Sequence, residues 1–559
     1  MGTYLNPGGE NFRIAMNSPI YVDKSGMLAH INKVFRTENR FVCVSRPRRF
    51  GKSMAANMIA AYYDRTAGME EEFRSLKIGE DSSFKDHLGK YDVIHVNMQM
   101  FLSRTKDADG LLHLLSRSIL HDLLKEYPGV DYFDREDLIA VMNDIYQKTR
   151  SPLVIVIDEW DCIFREYKGK KEWQEKYLDF LRVWLKDQIY VGLAYMTGIL
   201  PVKKYGTHSA LNMFTEFTMT NPNRLAEYVG FTAAEVKSLC QEFSMSFSEC
   251  QAWYDGYYFS EVGEIYNPRS VVAAMTSGVF DTYWNKTETF EALKVYIDMN
   301  YDGLREAVIA LMAGERRKID TGNFSNDMTT FHDMDDVLTL LVHLGYLGYD
   351  FPSGTVFIPN QEIRMEFGNA VKAGGWDVVA KAIKSSEDLL SATLAGDGEA
   401  VAKGVEKAHL ETSHLQYNNE NALAYTLSLA YYTARQKYLM VREFPTGKGF
   451  ADILFLPRVN HSDLPALILE LKWNKGADAA IRQIKEKAYP SSLEEYTGRM
   501  LLVGISYDRE SRKHECLIEE CEKKQETMHV SIPAPAFPSS TAHLPDWWRE
   551  AGRTVCPDD

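Results

Sequence analysis

Nine residues constrain this chain more than any others: Ser45-Arg-Pro-Arg-Arg-Phe-Gly-Lys-Ser53. They follow the apolar run Phe41-Val-Cys-Val44 and precede a helical pattern from Met54 to Tyr63, so the stretch reads as strand, loop and helix. In such a loop the backbone N–H groups and the positive end of the helix dipole cradle phosphate, a lysine reaches the β- and γ-phosphates, and a hydroxyl suits Mg²⁺. Gly51, Lys52 and Ser53 stand in those places, with Arg48, Arg49 and Phe50 completing the loop. Arg46 occupies the first glycine of the pattern G-x-x-x-x-G-K-[ST], so the entry turn must be made differently.

About one hundred residues on, Leu153-Val-Ile-Val-Ile157 is the continuous β-branched run of a central parallel strand, and it ends in Asp158-Glu159. An acid at that strand end can hold Mg²⁺ through water, and the next can orient or deprotonate the attacking water. A chance G-K-S tripeptide or an acid capping a strand is unremarkable alone. In this order and setting the pair implies a site for ATP and Mg²⁺, with Glu159 as the catalytic acid.

These motifs, together with Tyr21-Val-Asp-Lys-Ser25, Val156-Ile-Asp-Glu-Trp-Asp161, Trp253-Tyr-Asp-Gly-Tyr257 and Tyr266-Asn-Pro268, resemble the bacterial AAA-ATPase-like family that often carries a C-terminal nuclease-like domain. The wording Arg-Pro-Arg-Arg-Phe-Gly-Lys-Ser is characteristic of that family, so the resemblance makes the missing first glycine a family feature. It also implies that the segment before the loop leads into the ATPase and that a helical lid follows it. By the same likeness Thr197, at the tip of the strand Tyr190–Thr197, would sense the γ-phosphate. A hydroxyl closing the turn at Gly198 is the competing reading.

A chain of 559 residues with 45% hydrophobic content can build several cores, roughly three or four domains. No apolar run approaches the ~20 residues of a membrane span, and the start lacks a basic-then-apolar signal. Met1-Gly2 is followed at position 6 by Asn, where myristoylation wants Ser or Thr. The expectation is a cytoplasmic protein without a membrane partner. Seven cysteines with no Cys-x-x-Cys pair fit neither a disulfide framework nor a zinc ribbon; Cys516 and Cys521 sit on a charged pattern read as helical. A net charge of −15 excludes a uniformly basic nucleic-acid face, so any such role must rest on a local site.

Strands at Asp92–Asn97, Leu153–Ile157 and Tyr190–Thr197, separated by helical patterns such as 110–127, imply a parallel sheet with helices on both faces. From Pro222 to about Ser277 the pattern reads as helices without strands, beginning with the capping box Thr232 and Glu235. The aromatic cluster around Trp253–Phe259 reads as core. Between 278 and 410 amphipathic helices dominate. The helix Met334–Leu347 and the hairpin around Phe351-Pro-Ser-Gly354 resemble a winged-helix unit, and a purely structural hairpin fits equally.

A second constellation closes the chain. Asn419-Glu420-Asn421 opens a helix through Tyr432; strands Tyr438–Phe444 and Phe450–Leu456 follow, the second carrying Asp452; the strand Ala466–Lys472 then places Glu470 and Lys472 on one face. Gln483 and Lys487 share a face of the next helix, and Met500–Ile505 is the final apolar strand. This order resembles the PD-(D/E)xK nuclease superfamily. The resemblance implies that Asp452 and Glu470 hold Mg²⁺ or Mn²⁺, that Lys472 is catalytic beside them, and that Glu420 and Gln483 support the site. A Glu-x-Lys ion pair on an exposed strand is the plain alternative.

The expected architecture is α/β throughout: a P-loop parallel-sheet ATPase domain (1–220), a helical lid (221–345), a wing and helical connector (346–410), a small α/β PD-(D/E)xK nuclease-like domain (411–535) and a tail (536–559). The expected function is a Mg²⁺-dependent ATP hydrolase whose nucleotide state controls a metal-dependent nuclease-like domain acting on DNA or RNA. The alternative is a nucleotide-dependent switch or binding module that grips nucleic acid or protein without cutting. Nucleic acid is the expected partner, with homo-oligomerisation left open, and Arg48, Arg49 and Arg269 are the candidates for completing the ATP site from a neighbouring subunit.

Overall fold

The computed structural model describes residues 2–521 apart from 203–210, 261, 285–289, 300, 302, 313–314, 323, 325–330, 374–376, 412–426, 428–429, 432, 435–436, 447–448, 459–460 and 488–497. Glu420 lies outside the described residues.

Five strands, β1 (Phe41–Ser45), β2 (Asp92–Asn97), β3 (Leu153–Asp158), β4 (Val191–Gly198) and β5 (Thr215–Phe217), form a sheet of order β2-β3-β4-β1-β5. All its pairings are parallel. Every residue of β1, β3 and β4 is buried, the pattern of strands covered on both faces by helices. Because β4 lies between β1 and β3, the phosphate-loop strand and the Asp158 strand are not neighbours. The register nevertheless aligns Asn97 with Asp158, Asp158 with Thr197 and Thr197 with Val44, so the polar strand tips share one edge of the sheet.

The stretch expected to be purely helical holds a small antiparallel sheet: β6 (Phe231–Thr232), β7 (Tyr257–Phe259) and β8 (Gly263–Tyr266), in the order β6-β8-β7. Strands of two to four residues are too short to show a period of two, and their aromatic residues favour pleated, half-buried positions. The capping box forms: Thr232 accepts from the Glu235 N–H while the Glu235 carboxylate accepts from the Thr232 N–H. Tyr254, Tyr257 and Tyr266 are buried, so the aromatic cluster is core.

Within this unit the side-chain amide of Gln251 donates to both Asp255 (3.3 Å) and Glu264 (3.0 Å), bringing two carboxyl groups together away from water. Burial, reinforced by the charge of Glu264, pushes the Asp255 carboxyl up to about 7. A carboxyl that binds its proton more tightly when folded stabilises the fold at low pH. That contribution is lost as pH rises through about 7. Thermal unfolding between pH 5.5 and 8.5 should therefore show Tm falling across neutrality, and Asp255→Asn should flatten the fall.

A third sheet joins β9 (Arg317–Lys318), β10 (Gly348–Asp350) and β11 (Thr355–Phe357) in the order β10-β11-β9 beside the helix Met334–Leu344. That helix stops at Gly345, whose φ of +87° suits glycine alone at low cost. A Cβ there would stand 2.7 Å from Pro47 and 2.8 Å from Trp284, so the turn packs directly against the phosphate loop. Gly345→Ala should combine a backbone penalty of roughly 1 kcal/mol or more with a clash, lowering Tm by several degrees and weakening nucleotide binding. Calorimetric scanning alongside a nucleotide titration would measure both.

The C-terminal sheet is mixed: β12 (Tyr438–Thr446), β13 (Gly449–Pro457), β14 (Ala466–Trp473), β15 (Met500–Asp508) and β16 (Lys513–Cys521) follow one another in space as in sequence. Only β14 and β15 pair in parallel, and the helix Ala477–Glu486 lies in the crossover between them. β16 corrects the helical reading around Cys516 and Cys521. It is a charged strand at the end of the sheet, as such strands often are. Leu389, Leu390, Val401 and Val405, from the stretch expected to be a connector, pack into the same core as Leu469 and Ile505. The six cysteines among the described residues are free, and none of the described helices is long and apolar enough to cross a membrane.

Candidate functional site

The phosphate loop is built as a cradle without its first glycine. Arg49 adopts φ +68° and Gly51 φ +93°, a pair of left-handed turns just before the helix Lys52–Tyr63. Nothing lies within 4 Å of a Cβ built on Gly51, so the demand for glycine there is conformational. Arg46 points inward, behind the loop. Its guanidinium donates to the carbonyls of Ser45 and Phe217 (2.9 Å each) and lies 5.1 Å from the Phe259 ring, tying β1 to β5. Complete burial lowers its pKa to about 10. The arginine that replaces the glycine thus anchors the loop's entry and leaves the cavity wall to Arg48 and Arg49.

Lys52 is buried, and its ammonium donates to the Pro47 carbonyl at 2.9 Å across the loop. Burial lowers its proton affinity, while the charges of Glu159, Asp161 and Asp158 act the other way. The Ser53 hydroxyl donates to Asp158 at 2.7 Å, and Asn97 donates to the same carboxylate oxygen at 3.2 Å. Burial raises the Asp158 carboxyl above its ordinary range, with Ser53 and Lys52 opposing. A hydroxyl and a buried carboxylate in contact beside a lysine form a fitting donor set for Mg²⁺.

Glu159 follows with φ +54°, a left-handed non-glycine residue of the kind that costs about 1–3 kcal/mol and collects at functional sites. Its carboxylate pairs with Arg165, and burial raises its proton affinity. Thr197 is fully buried and its hydroxyl donates to the Val44 carbonyl at 3.0 Å. The structure therefore spends that hydroxyl on joining β4 to β1 and does not bring it to the cavity wall.

A cavity of about 950 Å³ opens over these groups. Arg48, Arg49, Phe50, Gly51, Lys52, Ser53 and Glu159 line its phosphate side. Ile20, Tyr21, Val22, Tyr228, Phe231 and Val272 form an apolar wall at which a flat base could lie. Tyr21, Val22 and Lys24 line this cavity, and Tyr21 and Val22 also pack against the neighbouring apolar cores. Lys24 also donates to the Glu227 carbonyl and to Glu235, both at 2.6 Å, clasping that segment to the unit after the parallel sheet. Arg269, in the first turn of the helix Pro268–Ser277, reaches the cavity as well, so all three arginines expected to act across subunits lie on the cavity of their own chain.

Two residues at this site escaped the sequence. Asn97 ends β2 directly opposite Asp158, a signal visible only once the strand order is known. Arg165 lies six residues beyond Glu159, inside the next helix.

The second site is held by β13, β14 and the helix after β14. Glu470, 1% exposed in a strand that is apolar apart from it and Lys472, accepts from Lys472 at 3.0 Å and from Gln483. Asp452 accepts the Leu471 N–H at 2.7 Å, which places its carboxylate beside the same strand. Burial first, and then the charge of Asp452, raises the Glu470 carboxyl to about 7. Its second oxygen is buried with no hydrogen-bond partner among the described residues, an orphan that a divalent cation would satisfy. The described residues contain no cluster of three or more acidic, histidine or cysteine side chains around it. Asp452, Glu470, Lys472 and Gln483 are thus brought together, and Glu420 falls outside the described residues.

Two stretches of the chain match known families. Residues 8–207 match the AAA-ATPase_like family, described as a predicted AAA-ATPase, and residues 419–516 match PDDEXK_9, of the PD-(D/E)XK nuclease superfamily. A protein from Azotobacter chroococcum mcd 1, described as an uncharacterized protein in the vnfD 5' region, is 23% identical over 511 residues, which span 88% of this chain and 93% of that one. Among solved structures, Cdc6p from Pyrobaculum aerophilum is 9% identical and matches 64% of this chain and 97% of its own with a TM-score of 0.22. ORC1 from Aeropyrum pernix, solved in complex with DNA, is 11% identical, matches 66% and 97%, and has a TM-score of 0.26.

Proposed function

We propose that this chain, which joins an AAA-ATPase-like domain to a PD-(D/E)XK nuclease superfamily domain, hydrolyses ATP with Mg²⁺ and uses its nucleotide state to govern metal-dependent cleavage of nucleic acid. The observation that carries the first half is the Ser53–Asp158 contact at the mouth of the loop, with Lys52 and Glu159 on the same cavity. Ser53 and Asp158 would hold Mg²⁺, which supplies charge neutralisation at the phosphates. Lys52 would leave the Pro47 carbonyl for the β- and γ-phosphates, while Arg48, Arg49 and Arg269 add positive charge from the walls. Glu159 would accept the proton of the attacking water.

For cleavage, the supporting observation is the orphaned Glu470 oxygen beside Asp452 and Lys472. Asp452 and Glu470 would hold Mg²⁺ or Mn²⁺, which supplies Lewis acidity at the scissile phosphate. Lys472 would orient water or stabilise the developing charge, and Gln483 would keep the Glu470 carboxylate in place.

A continuous run of contacts supports control between the sites. Arg269 lies on the cavity, and its neighbour Ser270 donates to Glu362 at 2.8 Å. Glu362 also accepts the N–H groups of Tyr283 and Trp284 and begins the helix Gln361–Ala373. That helix packs on Asp377–Leu394, which packs on Gly398–Glu411, which lies along β16. A γ-phosphate that draws Arg269 inward would pull on one end of this run. Glu362→Gln is expected to leave ATP turnover within about threefold of the parent and to reduce the effect of ATP on cleavage. Parallel phosphate-release and gel assays measure the two.

A further inference from the structure

Arg165 is a cavity residue to which neither the phosphate-loop pattern nor the acidic strand end assigns a part. It is 8% exposed and lies in the short helix Cys162–Glu166. One arm of its guanidinium pairs with Glu159, and its Nε lies 3.3 Å from Asp161, an ion-pair contact outside hydrogen-bonding geometry. The two carboxylates differ in freedom. Asp161 is fully buried and accepts the N–H groups of Ile199 (3.0 Å) and Leu200 (2.9 Å), so it is bolted to the end of β4. Glu159 faces the cavity from a left-handed backbone position. The planar fork of arginine suits one fixed and one facing carboxylate, which a lysine point charge cannot span with the same geometry.

We propose that Arg165 is the positioning residue of the hydrolysis step: anchored on Asp161, it aims the Glu159 carboxylate at the water that attacks the terminal phosphate. This rests on the reading of Glu159 as the residue that activates water. Arg165 would then matter to turnover and only weakly to binding, because the loop amides and Lys52 hold the triphosphate without it. It would also act wholly through Glu159.

The test is a double-mutant cycle on the intact chain, using single-turnover ATP hydrolysis with Mg²⁺ and the Kd for a fluorescent ATP analogue. Arg165→Gln should hydrolyse on the order of ten- to a hundredfold more slowly, as expected when a reacting group is misplaced by about an ångström. Its Kd should stay within about threefold of the parent. Arg165→Lys should recover part of the rate, since it keeps the charge and loses the fork. The combination of Arg165→Gln with Glu159→Gln should be no slower than Glu159→Gln alone. Multiplicative losses would overturn the proposal by showing that Arg165 acts independently of Glu159, and so would unchanged or faster turnover in Arg165→Gln. A fall in affinity and Tm that matches the fall in rate, in both the Gln and Lys variants, would make the role structural and overturn it too. Absence of hydrolysis by the parent chain would instead reject the underlying ATPase reading.

Discussion

Lys52→Ala is expected to weaken ATP binding by at least about thirtyfold, because truncating one member of a buried, hydrogen-bonded charge pair costs about 2–5 kcal/mol. Among the described residues no other lysine lines the phosphate side of the cavity, where Arg48 and Arg49 also stand. Glu159→Gln should behave in the opposite sense. It keeps the loop, Lys52 and the Ser53–Asp158 pair, so ATP should bind near the parent affinity while hydrolysis falls by about 10²- to 10⁴-fold, the usual worth of a general base. Calorimetric titration with a slowly hydrolysed ATP analogue, together with phosphate release, separates the two effects. Normal turnover by Glu159→Gln would remove Glu159 from its assigned role.

The second large effect belongs to the C-terminal site. Lys472→Ala should lower nucleic-acid cleavage by about 10²- to 10³-fold, the scale of losing one electrostatic stabiliser of a transition state. The ATPase rate of the same variant should stay near that of the parent, since the ATPase sheet and the C-terminal sheet have separate apolar cores. Glu470→Ala should reduce cleavage at least as much, and also remove the binding of Mn²⁺ that persists in Lys52→Ala. Manganese titration of the intact variants tests this directly, and unchanged binding in Glu470→Ala would take Glu470 out of the site.

What the sequence made legible was local. The loop from Ser45 to Ser53, the strand ending in Asp158-Glu159 and the Glu-x-Lys strand each carry their chemistry within ten residues, and the structure places all three where the strand and helix patterns put them. The rest depends on partners distant in sequence. Nothing near Arg46 tells that its guanidinium serves the Phe217 carbonyl, and nothing near Pro47 tells that Gly345 packs against it. Asn97 became visible only through the strand order, and Thr197 was drawn away by the Val44 carbonyl on the neighbouring strand. β16 was missed because its alternation is diluted by charged residues along an outer strand. That the connector helices share the C-terminal core was not legible, because amphipathic helices announce a buried face without naming the core that buries it.

The central claim is that two chemical sites share one chain and that the first governs the second. It is tested most directly by one gel series on single-stranded DNA, double-stranded DNA and RNA with Mg²⁺ or Mn²⁺. The parent, Lys52→Ala and Lys472→Ala are compared with ATP, with ADP and without nucleotide. The account predicts that the parent's cleavage changes with ATP, that Lys52→Ala cleaves without regard to nucleotide, and that Lys472→Ala does not cleave while still turning over ATP. Cleavage by Lys472→Ala equal to the parent's, or parental cleavage identical under all three nucleotide conditions, would contradict it.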